Sequence, residues 1–75
     1  MAGGEGGVSD FTDRPTVMAY LAQLRFSEQT ADHLLDRAVI YAPRPASLRV
    51  PADDSIIMTE ITWSAGQWHV SNRKL

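Results

Sequence analysis

The stretch IIMTEITWSAGQWHVSNR, residues 56–73, limits the fold more than any other part of the chain. Both of its halves are rich in β-branched or aromatic residues and alternate in polarity, which is the period of a strand with one packed face. Ile57, Thr59, Ile61 and Trp63 share one side of the first half. Because strand side chains repeat every two residues, a one-residue slip between the halves would turn the apolar set out to water. A loop of even length, either Ala65-Gly66 or Ser64 to Gln67, opposes Trp63 to Trp68 and Ile61 to Val70, whereas a three-residue loop would set Trp63 against Gln67. The even register is expected, with the two tryptophans as an inward-facing scaffold pair. The other face of the hairpin then carries Ile56, Met58, Glu60 and Thr62 beside His69, Ser71 and Arg73.

Upstream, Pro43 and Pro45 in APRPAS can donate no backbone hydrogen bond and push the residues before them toward extended structure, so helix must end before them. Asp13 or Thr12 can cap a first helix, expected over about 14–25 with Pro15 in its first turn. Val17, Tyr20, Leu21 and Leu24 fall on one side of it, with Met18 at the edge. Ser27 caps a second helix, about 28–41, with Phe26 stapled back onto Ala31 and Glu28 in the first turn. Its buried stripe is expected to be Ala31, Leu34, Leu35, Ala38 and Ala42, opposite an acidic stripe of Glu28, Asp32 and Asp36. SLRV supplies a short strand before the PADDS turn. The spacing thus predicts an α+β domain of order ααβββ: a two-helix hairpin packed on a small three-stranded antiparallel meander at about 47–50, 55–63 and 67–73.

The first ten residues hold four of the five glycines and read as a flexible tail, leaving 11–75 as a single domain. An apolar share of 44% with 21% charged residues is that of a folding chain rather than a disordered one. With no cysteine, disulfides, thiolate nucleophiles and cysteine zinc sites are excluded. No apolar run is long enough to span a membrane, and no basic region followed by an apolar run marks export, so a cytoplasmic protein without membrane contact is expected. Charge is uneven: six acids against two bases over 1–36, three against five over 37–75. The overall formal charge of -2 disfavours nonspecific grip on phosphates.

The segment YLAQLRFSEQTADHLL resembles a helix-turn-helix, with Phe26, Ser27, Thr30, Ala31 and Leu34 at the positions that motif uses. The resemblance implies DNA recognition by Gln29, His33 and Arg37, with the 55–73 hairpin as a wing. Two departures weigh against it. Arg25 stands where the motif takes glycine, and Glu28, Asp32 and Asp36 would face phosphates. The two histidines, His33 and His69, lie on separate elements without metal-ligand spacing, and no serine sits in a nucleophile-elbow pattern. No metal, cofactor or catalysis is expected. What remains is surplus apolar surface at Ile40, Tyr41, Ile56 and Met58, rimmed by Arg44, Arg49 and Glu60. The expected function is therefore a small interaction or regulatory protein that docks on a partner protein or forms a homodimer. Its expected contact residues are Ile56, Met58, Glu60, Thr62, His69 and Arg73.

Overall fold

A computed structural model describes residues 8–75. The elements run β1 (Val8–Phe11), α1 (Arg14–Gln23), α2 (Glu28–Ile40), β2 (Ala46–Ala52), β3 (Ser55–Ser64) and β4 (Gln67–Lys74). All four strands form one antiparallel sheet in the order β1-β4-β3-β2. The helical pair and the three later strands stand as expected, but the order ααβββ is incomplete. A fourth strand precedes the helices and pairs with β4 through Val8↔Ser71, Ser9↔Val70, Asp10↔His69 and Phe11↔Trp68. Four residues including a serine and an aspartate have little strand preference of their own. They become a strand because the free edge of β4 offers partners and Phe11 finds the Tyr20 ring at 5.1 Å. Of the expected tail, residues 1–7 lie outside the described residues, while Val8–Asp10 belong to the sheet.

Local chemistry accounts for the helix ends. Asp13 caps α1 by accepting from the Thr16 backbone N–H at 3.1 Å, and Ser27 caps α2 by accepting from the Thr30 N–H at 3.1 Å. At the end of α1, Arg25 N–H donates to Ala22 O and Phe26 N–H to Leu21 O. This is the Schellman pattern, and it puts Arg25 at φ 74°, the left-handed region usually given to glycine. The second helix stops at Ile40, so Ala42, expected in its buried stripe, lies beyond the helix and is exposed.

Val17 and Leu21 of α1, Ala31, Leu34, Leu35 and Ala38 of α2, and Ala46, Ile61, Trp68 and Val70 of the sheet make one core. Ile61 pairs with Val70 and Trp63 with Trp68, the register that the side-chain pattern predicted. The connection is the two-residue Ala65-Gly66 loop, both residues at positive φ (54° and 74°), as in a type I′ turn. Trp68 is buried and donates its indole N–H to Leu35 O at 3.2 Å, while half-buried Trp63 meets it edge-on at 4.7 Å. Buried Thr59 donates to Asn72 Oδ1 at 2.7 Å, and Asn72 Nδ2 donates to Tyr20 OH at 3.1 Å. Both helices pack on this one face of the sheet, and among the described residues nothing covers the other.

Candidate protein-interaction face

The uncovered face follows from strand parity. On β3 it carries Ile56, Met58, Glu60 and Thr62, and pairing with β4 sets Arg73 beside Met58, Ser71 beside Glu60 and His69 beside Thr62. All six residues expected to form a contact surface therefore stand on one face. The neighbouring strands add Arg49, expected at the rim of this surface, and three residues that the sequence reading did not place there. From β2 come Arg49 beside Met58 and Ser47 beside Glu60, and from β1 come Asp10 beside His69 and Val8 beside Ser71. Arg49 was legible from the alternation in SLRV once β2 was known to flank β3. No local signal pointed to Asp10.

Two features give the face chemical character. Arg49 and Arg73 flank half-buried Met58 from either side, about 10 Å apart across two strand spacings. Both are exposed, and neither makes an ion pair among the described residues. Next to that row, Ile56 is 44% exposed, an apolar side chain left open to water. One step the other way sits Glu60, also without an ion pair among the described residues.

The second feature is at the opposite end. His69 Nδ1 lies 2.7 Å from Asp10 Oδ1, and its Nε2 lies 2.9 Å from Ser64 Oγ and 3.1 Å from Ser64 O. The connectivity is that of a serine–histidine–aspartate relay. The Asp10 carboxylate, and then the Ser64 carbonyl, hold the imidazole pKa above 6.5 by favouring the protonated ring. Both ring nitrogens are engaged, Nδ1 by Asp10 and Nε2 by Ser64. Two grooves among the described residues are lined by other side chains. One, about 260 Å³, runs between Leu24, Phe26, Val50 and Ile57 over Thr59 and Asn72; the other, about 270 Å³, lies between the helices at Met18, Ala22, Phe26 and Ala31. His69 thus acts as a tie joining β1, β4 and the hairpin end.

Gln29, His33 and Arg37 are exposed along α2. Arg37 lies over the Tyr41 ring at 4.9 Å, and two of the three acids beside them are engaged by Arg14, to Asp32 at 2.9 Å and Asp36 at 3.1 Å. The guanidinium of Arg14 also sits 5.8 Å from the Trp68 ring centre. The hairpin β3–β4, the expected wing of a helix-turn-helix domain, is flanked on both sides by β2 and β1. Among the described residues, no three histidine or acidic side chains converge to hold a metal, and no helix is long and apolar enough to cross a membrane. The chain matches no family model, no curated protein and no solved structure.

Proposed function

We propose that this chain is a small non-catalytic interaction protein that docks through the uncovered face of its sheet. The observation that carries the reading is the row Arg49, Met58, Arg73, with Ile56 beyond it. Half-buried Met58 stands between two guanidinium groups that have no carboxylate partner among the described residues, and exposed Ile56 extends the apolar surface beyond them. A polar rim around an apolar centre, with arginine prominent, is the composition of a protein contact. Single-stranded nucleic acid is a poorer match, because both tryptophans point into the core and the face offers no aromatic stacking platform.

The test is affinity capture from native lysate, run with and without nuclease, comparing the wild type with an Ile56→Ser/Met58→Ser double variant. Partners retained after nuclease and lost with the double variant are the expected result. An unchanged partner set, together with a wild type that never self-associates, would sink the reading. One observation favours a helix-turn-helix instead: Arg25 does adopt the left-handed turn conformation of that motif. That alternative requires salt-dependent duplex binding that weakens when Gln29, His33 or Arg37 is replaced.

A further inference from the structure

Resting on that reading of the sheet face, we infer that its occupant is a second copy of this chain, packed face to face with the strands reversed, so that Glu60 of each copy lies between Arg49 and Arg73 of the other. The register places these groups for such a contact. Arg49, Met58 and Arg73 form one row across β2, β3 and β4, and Ser47, Glu60 and Ser71 form the adjacent row. A two-fold axis running across the strands between the two rows superimposes each row on the other copy's neighbouring row. Met58 then packs on the aliphatic stem of the opposing Glu60, whose carboxylate falls between two arginines that lack ion-pair partners among the described residues. The flanking Ser47 and Ser71 are small enough to admit the arginine side chains. The symmetry makes this contact twice.

The face is self-complementary in charge, with two arginines in one row and one glutamate in the next, which is what an isologous contact requires. Its size also fits. Four strands of four to ten residues, about 4.8 Å apart, present roughly 500 Å² in projection, and more once the side chains are counted, approaching the ~800 Å² per partner of a standard interface. A partner of a single charge sign would leave either Glu60 or the arginine pair opposed.

Sedimentation of the full chain across the micromolar to millimolar range tests this directly. The wild type is expected to dimerise. Arg49→Glu/Arg73→Glu makes these two rows wholly acidic and Glu60→Lys makes them wholly basic, so each alone is expected to weaken the dimer at least about tenfold. Mixed together, the two variants are expected to pair with each other, because each supplies the charges that the other lost. None of the three positions lies in the core, so circular dichroism of the variants should match the wild type, as should melting at concentrations where all are monomeric, and Glu60→Gln, which removes the charge without reversing it, serves as a milder probe. A wild type that stays monomeric overturns the inference, and if capture of another protein then still depends on Ile56 and Met58, the docking reading survives without it. A dimer indifferent to all of these substitutions overturns the inference as well, and the docking reading falls with it only if that dimer is also indifferent to Ile56→Ser/Met58→Ser and partner capture is unchanged.

Discussion

Replacing Arg25 by glycine should make this protein more stable, although it deletes a large side chain from a small domain. Arg25 is held at φ 74° by the two hydrogen bonds that finish α1, Arg25 N–H to Ala22 O and Phe26 N–H to Leu21 O at 3.0 and 3.2 Å. A residue with a Cβ occupies that region at a cost of about 1–2 kcal/mol. Glycine avoids the cost but loses more backbone freedom on folding, which returns about 0.5–1 kcal/mol. The net gain is about 0.5–1 kcal/mol, and for a domain of this size it raises Tm by about 3–6 °C. Little opposes it, since the Arg25 side chain is exposed and makes no ion pair among the described residues. Thermal and urea denaturation followed by circular dichroism would measure the change. Arg25→Ala is the control, because it removes the same guanidinium but keeps the Cβ, and it should fall within about 0.5 kcal/mol of wild type. If glycine and alanine behave alike, or glycine lowers Tm, the chain does not turn at Arg25 in the left-handed conformation.

Two further outcomes follow from the core and from the His69 tie. Trp68→Phe keeps most of the buried ring but leaves Leu35 O without its indole donor, so unfolding free energy should drop by about 1–3 kcal/mol in urea titration; no loss would mean that the 3.2 Å bond contributes nothing. His69 has a folded pKa raised above the 6.5 of the free side chain by Asp10 and the Ser64 carbonyl. Its stabilising contribution is therefore complete below about pH 6.5 and fades as pH rises through the folded value. Urea midpoints measured across that window should decline with pH in the wild type and show a weaker dependence in Asp10→Asn, where the Ser64 carbonyl remains, and an NMR titration of His69 at or below the free value would contradict the geometry.

The parts of the fold legible in the sequence are those fixed by neighbours along the chain. Asp13 and Ser27 announce helix starts because a cap bonds only three residues ahead. The pairing of Trp63 with Trp68 follows from parity across a two-residue turn, so the faces of β3 and β4, and with them Ile56, Met58, Glu60, Thr62, His69 and Arg73, could be sorted in advance. Even there the turn geometry stayed open, since Ala65 is an unusual residue for positive φ. Tertiary structure decided what depends on distant partners. VSDF becomes a strand only against β4, which brings Asp10 to His69 across 59 positions of sequence. Arg14 meets Asp32 and Asp36 only because α1 and α2 fold together, engaging two acids of a stripe that the sequence presents as bare. Arg49 joins Met58 and Arg73 in one row only once β2 takes its place at the sheet edge. The local pattern specifies which way each side chain faces; only the packed sheet specifies which charges stand next to it, because those neighbours arrive from other parts of the chain.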